Sequence, residues 1–289
     1  MITRLHELVE IAQENPPTRV AVAAAAHKLV LQSVQRAVER GLIIPLLIGI
    51  EQDIREQAAA IGWELTDEQI VPTSTNLAAA DAAVDLVRRG EAQVLMKGYL
   101  HTDEMLHAIL RHDTGLRTDR LLSHVFVLEV PTYHKLLLIT DAAININPDI
   151  PQKAAITQNA VDLARKLGVD VPKVAALSSV ETINPKIPST VHAACLHKMA
   201  ERGQIKGAIV DGPLAFDNAI SAEAARDKGI NSPVSGEVDV VVVPDLDAGN
   251  ILSKNLEYLA SAKMAGIVMG ASAPVVLTSR SDPPRARVY

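Results

Sequence analysis

Short β-branched or apolar runs alternate with longer segments of helical period along this chain, and no other feature limits its fold as strongly. Arg19–Ala25 precedes His27–Arg40, Ile43–Gly49 precedes Glu51–Ile61, and Ala92–Met96 precedes Thr102–Arg111. Strands separated by helices return parallel to one another, so this rhythm predicts a mostly parallel sheet covered by helices. It continues through Val125–Val130, Leu136–Thr140, a helix over Pro151–Leu167, Val174–Leu177 and a helix from Thr190 to Glu201. Ala208–Val210, Val238–Val243, a helix over Ala248–Ala262 and a last apolar run complete it. Gly168, Gly203 and Gly229 stand just past helical stretches, where left-handed termini favour glycine.

Near Arg111–Ser123 the pattern lapses into charged, Gly-containing sequence, and the next two β-like runs leave no room for a helix between them. That is the signature of a domain crossing followed by a hairpin. At 289 residues the chain exceeds the size at which one core usually stops growing, so one large or two medium domains are expected. A formal charge of −6 and an aromatic content of 2% exclude both the basic footprint and the stacking platforms of nucleic-acid binding. The same charge argues against a basic membrane-binding face. The single cysteine, Cys195, cannot form an internal disulfide and reads as a buried, inert thiol. Arg4, Glu7 and Glu10 interrupt the segment where a signal peptide would need an apolar core. A cytoplasmic protein without a membrane span is therefore expected.

Several β-like runs end in polar clusters. Met96 leads into Lys97-Gly98 with Thr102 opening the next helix, Ile139 into Thr140-Asp141, and Val210 into Asp211-Gly212-Pro213. Val243 leads into Pro244-Asp245, followed by Asn250 and Lys254, and the terminal run Ala273–Leu277 stops at Thr278-Ser279-Arg280. Open α/β sheets bind ligands at the carboxyl ends of their strands, although turn and cap chemistry alone explains any one cluster. Two hydroxyls and a guanidinium make Ser279 and Arg280 the leading anion-site candidates. No H-E-x-x-H or C-x-x-C spacing occurs, so no metal site is predicted.

The residues Leu95-Met96-Lys97-Gly98 with Thr102, Leu122-Ser123-His124-Val125-Phe126 with Glu129-Val130-Pro131, and Ile139 through Asn145 resemble the phosphate acetyl/butyryltransferase family. So do Asp211 through Ala215 with Asp217-Asn218-Ala219-Ile220, Pro244-Asp245 with Ala248 through Leu252 and Lys254, and Pro274 to Arg280. They occur in family order over nearly the whole chain, and Tyr258 makes it look closer to the butyryl branch than to the acetyl branch, which often has arginine there. The resemblance implies reversible transfer of an acyl group between coenzyme A and inorganic phosphate, with CoA as substrate and no cofactor. It implies a two-domain α/β/α fold with mostly parallel sheets, like isocitrate and isopropylmalate dehydrogenases, and an active-site cleft between domains. The first domain would be built from residues 1–122 plus 267–289 and the second from 123–266. Family members form dimers or larger homo-oligomers.

Chemistry then assigns candidate roles. The attacking species is a thiolate, and a free thiol has a pKa of about 8.5, so the site needs a base or an electropositive pocket. Ser279 matches the family's oxyanion-facing serine, and Arg280 can hold phosphate oxygens bidentately. The acetyl branch places an aspartate six residues beyond the arginine, where this chain has Ala286; Asp282 is the candidate base, with a solvated turn aspartate as its equal alternative. Where the family commonly has an arginine five residues after the position of Thr102 stands His107, with Arg111 one turn farther. Lys97, Gly98, Thr102, Ser123, Asp211, Asp245, Asn250 and Lys254 are the candidate substrate and CoA contacts. Two other functions compete. A metal- and NAD(P)-dependent dehydrogenase of the same fold would gather a cation on Asp141, Asp211 and Asp245. A CoA-binding relative that has lost turnover is motivated by His107, Ala286 and the stop at Tyr289.

Overall fold

A computed structural model describes residues 1–277 of the chain. The first stretch holds α1 (Leu5–Gln13), β1 (Thr18–Ala23), α2 (Lys28–Glu39), β2 (Ile43–Gly49), α3 (Glu51–Ala59), β3 (Ile70–Pro72), α4 (Asn76–Arg88), β4 (Val94–Lys97) and α5 (Thr102–Leu110). The middle holds β5 (Ser123–Glu129), β6 (Leu137–Thr140), α6 (Ile150–Lys166), β7 (Lys173–Leu177), α7 (Pro188–Glu201), β8 (Ile209–Leu214), α8 (Phe216–Ile220), α9 (Ala222–Asp227), β9 (Val240–Val242) and α10 (Leu246–Tyr258). β10 (Lys263–Met269) and β11 (Val275–Val276) close the described chain.

These elements form two compact units, one of Met1–Leu5 with Leu121–Met264 and the other of His6–Arg120 with the chain from Ala265 onward. Met1–Leu5 is held to the middle stretch by hydrogen bonds from two of its main-chain N–H groups. The Ile2 N–H donates to the Leu167 carbonyl at 3.0 Å, and the Leu5 N–H donates to Glu129 Oε2 at 2.9 Å.

In the unit carrying β1 to β4, the described strands run parallel in the order β3-β2-β1-β4-β11, and β10 pairs antiparallel with β11. Val22, Leu31, Leu47, Ile54 and Met96 anchor its core. In the middle unit, β5 and β6 pair antiparallel as the predicted hairpin, and β6-β9-β7-β8 continue in parallel. Leu128, Ile139, Ala175, Val241 and Leu214 form that core. The buried strands read as apolar runs because helices cover both faces of a parallel sheet.

Local signals explain where helices begin. Asp149 caps α6 by accepting from the Gln152 N–H at 2.8 Å, Gln152 returns the bond, and Pro151 occupies the first turn, where no N–H is needed. Thr75 caps α4 through the Ala78 N–H. That helix escapes the apolar periodicity because its buried face is largely alanine: Ala79, Ala80 and Ala83. Strand β10 escapes for another reason, since α10 stops at Tyr258 and Ser261, at φ 54°, turns the chain within what reads as one helical stretch to Ala262.

A buried ion pair clips the middle sheet. Lys135 Nζ lies 2.7 Å from Asp239 Oδ1 and donates to the Glu237 carbonyl, while Asp239 Oδ2 accepts from the Lys173 N–H. Both side chains are more than nine-tenths buried. Removing one partner strands a buried charge, which is far more costly than the pair's net contribution. Lys135→Met should lower the unfolding free energy by about 3 kcal/mol in a urea titration. A loss below about 1 kcal/mol, the range of exposed pairs, would refute that role for the clip.

Candidate active site

The strand ends of each unit gather polar groups, and each set is built by its own local geometry. In the first unit, β4 delivers Lys97 to the carboxyl edge, where the side chain is buried and its Nζ donates to the Leu100 carbonyl at 3.2 Å. Gly98 then turns the chain against β1. A Cβ there would lie 2.4 Å from the carbonyl oxygens of both Ala23 and Ala24, so no larger residue fits without moving the backbone. The Gly98 and Tyr99 N–H groups donate to those carbonyls at 2.8 Å. The ring of Tyr99 stacks on His27 with centroids 4.2 Å apart and 4° between planes. Half-buried Thr102 opens α5, whose first turn is closed by Glu104 accepting from the His101 N–H.

His107 lies exposed on α5, and Arg111 at the end of that helix pairs with Asp81 of α4 at 2.9 Å. Arg111 is thus an interhelical surface cation. Strand β11 runs parallel to β4 with Val276 opposite Met96, so Leu277 ends the described chain at the same edge as Lys97. Ser279, Arg280 and Asp282 lie outside the described residues.

In the middle unit, Ser123 opens β5 fully buried, and its Oγ accepts from Asn159 Nδ2 at 2.8 Å. Asn159 also donates to the Leu121 carbonyl, tying α6 to the start of β5. Asp141 follows β6 and is buried. Its carboxylate accepts from the N–H groups of His124, Ala143, Ile144 and Asn145 and from Asn145 Nδ2, the last at 2.6 Å. A carboxylate so saturated holds the loop after β6 in one shape. Asn145 and Asn159 therefore matter to this edge, and no periodicity marks them. Asn145 closes the Ile139–Asn145 stretch that bears the family resemblance, whereas nothing in the sequence singles out Asn159.

Asp211 is half-buried within β8, which runs on past the sequence-predicted strand end to Leu214; it accepts from the Gly212 N–H at 2.8 Å with His197 Nδ1 3.3 Å away. Asp245 caps α10 through the Ala248 N–H at 2.9 Å. Asn250, one turn into that helix, donates to the Ala142 carbonyl at 3.3 Å and so joins α10 to the Asp141 loop. Lys254 pairs with Glu257 at 2.9 Å and lies over the Tyr258 ring. Lys97 with Gly98 and Thr102 thus share one edge, and Ser123, Asp211, Asp245 and Asn250 belong to the other unit's sheet. Cys195 on α7 is half-buried, not fully buried as expected, because α7 presents only Thr190, Ala193 and Leu196 inward. Asp141, Asp211 and Asp245, the cation set of a dehydrogenase, form no metal-holding group among the described residues. Each instead accepts from neighbouring N–H groups.

Three comparisons place this geometry among known proteins. The fold matches that of a solved branched-chain phosphotransacylase from Enterococcus faecalis V583, with a TM-score of 0.80, 35% identity, and coverage of 94% of this chain and 95% of that one. The family description "Phosphate acetyl/butaryl transferase" matches residues 69–288. The chain is 51% identical to the phosphate acetyltransferase of Rhizobium meliloti over 99% of its own length and 90% of that protein's. It is 42% identical to the phosphate butyryltransferase of Clostridium acetobutylicum, covering 98% of this chain and 94% of that one. These similarities span both units. The chain belongs to the phosphate acetyl/butyryltransferase family, a family of acyltransferases.

His124 gives the edge a pH signature. It is buried beside Asp141, edge-on to Phe126, and its Nδ1 meets no partner among the described residues. Burial pushes its pKa down to about 4 against the pull of Asp141. The fold keeps His124 neutral while the unfolded chain takes up a proton below the ordinary 6.5, so stability falls as pH drops from 6.5 toward about 4 and is fully present above that window. Urea unfolding at pH 5 against pH 7 should show a loss of about 2 kcal/mol from this group, and His124→Phe should remove that share. An unchanged pH dependence in the variant would refute the assignment.

Proposed function

We propose that this protein catalyses the reversible reaction of an acyl-CoA with inorganic phosphate to give an acyl phosphate and free CoA. Membership of the acyltransferase family over nearly the full chain carries this reading. The strand-edge residues Lys97, Gly98, Ser123, Asp211, Asp245 and Asn250 stand in the motifs that bear the resemblance.

In the direction of acyl phosphate breakdown, the CoA thiol loses its proton and attacks the carbonyl carbon. The C–S bond forms, the carbonyl becomes a tetrahedral oxyanion, and the C–O bond to phosphate then breaks to release phosphate. Ser279 is the proposed donor to the oxyanion, a contact worth about 3 kcal/mol of barrier in other acyl transfers. Arg280 is the proposed phosphate ligand, since its planar fork matches two phosphate oxygens. Asp282 is the proposed base for the thiol. Lys97, Thr102 and Lys254 are proposed to contact the substrates, with Gly98 allowing close backbone approach. The substrate supplies the sulfur, so Cys195 has no step in this scheme, and CoA enters it as a substrate, with no cofactor. We further propose a cytoplasmic homodimer or larger homo-oligomer. Among the described residues, no helix is long and apolar enough to cross a membrane.

Relatives carry both acetyl and butyryl names, and acyl preference follows the depth of an apolar pocket. Thiol release followed with a colour reagent should therefore compare acetyl, propionyl and butyryl substrates. Release that requires phosphate with acyl-CoA supports the reaction, whereas tight CoA binding without release would establish a lapsed relative. Arg280→Ala should lower kcat/KM for acyl phosphate at least about a hundredfold. Turnover near that of the parent protein would overturn the role of Arg280.

A further inference from the structure

We infer that Lys153 and His192 form an anion subsite at the carboxyl edge of the middle sheet, which takes the phosphate oxygens of a substrate. This inference rests on the function proposed above. Lys153 lies on α6, only 4% exposed, and its Nζ is 3.0 Å from Nδ1 of His192 on α7. No ion pair reaches it among the described residues, and His192 is its one hydrogen-bond partner there. The contrast with Lys135 is direct, since that buried ammonium has a carboxylate at 2.7 Å and a carbonyl at the same distance. Buried cations are ordinarily paired, because losing water costs several kcal/mol per ion. A buried lysine with one nitrogen partner and no carboxylate contact is arranged to receive an anion.

Its place in the fold points the same way. α6 follows the hairpin strand β6, α7 follows β7, and β9 lies between those strands and leads into α10. The amino ends of all three helices therefore stand at one edge, where the positive ends of their dipoles favour negative charge. Lys153 and His192 each sit about one turn inside a helix start. The charged groups facing the pair are Asp149, which caps α6, and Asp245, which caps α10. Each carboxylate already accepts from its own helix, Asp149 from Gln152 and Asp245 from Ala248, and neither is in contact with Lys153. Burial pushes the Lys153 pKa down while Asp245 pulls it up, and burial together with the Lys153 charge lowers that of His192. A neutral His192 accepts from Lys153 at Nδ1 and leaves Nε2–H as a second donor. A phosphate oxygen supplies the counter-charge that the described side chains do not.

Turnover by the parent protein tests the reaction, and Lys153→Met and His192→Gln test the subsite. Lys153→Met should raise KM for inorganic phosphate at least tenfold and leave KM for acyl-CoA within twofold; His192→Gln should raise KM for phosphate several-fold. A rise confined to acyl-CoA, which disappears when the dephospho form of CoA is used, would support the anion subsite and give it to the CoA phosphate. KM values for both substrates within twofold of the parent protein, in variants with native near-ultraviolet circular dichroism, would overturn it. If Lys153→Met does not fold, His192→Gln decides alone, and unchanged KM values overturn the proposal. One readout does not need turnover. Inorganic phosphate should raise the Tm of the parent protein over chloride at equal ionic strength, and that rise should be lost in the variants. A phosphate-dependent rise retained in both variants counts against the subsite even if the parent protein proves inactive.

Discussion

A parallel strand cannot be followed directly by its neighbour, because the chain must first travel back along the sheet, and it does so as a helix. Each strand-to-helix junction therefore falls at the same edge of a given sheet. In the unit carrying β1 to β4 that edge holds His27, Lys97, Gly98 and Thr102; in the middle unit it holds Asp141, Asp245, Lys153 and His192. Residues far apart in the chain, such as Asp141 and Asp245, become candidates for one chemistry through this return rule alone. The helix starts at the same edge add the positive ends of their dipoles, so a chain of net charge −6 still offers local anion sites.

Within that frame, buried carboxylates and lysines do different work according to what they touch. Asp141 is saturated with N–H donors and shapes a loop. Asp239 is neutralised by Lys135 and holds strands together. Lys153 has neither kind of partner, and the difference in partners, not in burial, separates structure from binding here. Gly98 shows the same economy in steric form, since the carbonyls of Ala23 and Ala24 leave space for hydrogen alone.

Much of the fold was legible in the sequence, because large apolar residues at strand or helical period leave a clear trace. β2 spans Ile43–Gly49 as its apolar run does, and α6 starts where Asp149, Pro151 and Gln152 announce it. α4 and β10 were not legible, the one because alanines bury a face without raising its hydropathy, the other because its turn at Ser261 carries no Gly or Pro. Of the candidate site, Lys97, Gly98, Asp211 and Asp245 were visible as polar residues closing apolar runs. Arg111 was visible as a cation on the right helix, but its ion pair with Asp81 depends on the packing of α4 beside α5.

The sequence by itself determined the α/β class, the hairpin after Ser123 and the family to which the chain belongs, since each depends on local period or on residues in fixed order. Only the tertiary structure decided which polar groups are satisfied. Asn159 reaching Ser123, Asn250 reaching Ala142 and Lys153 meeting His192 join residues 36, 108 and 39 positions apart. Hydrogen bonds at that separation follow from how helices seat on a sheet, and linear order carries no record of that seating.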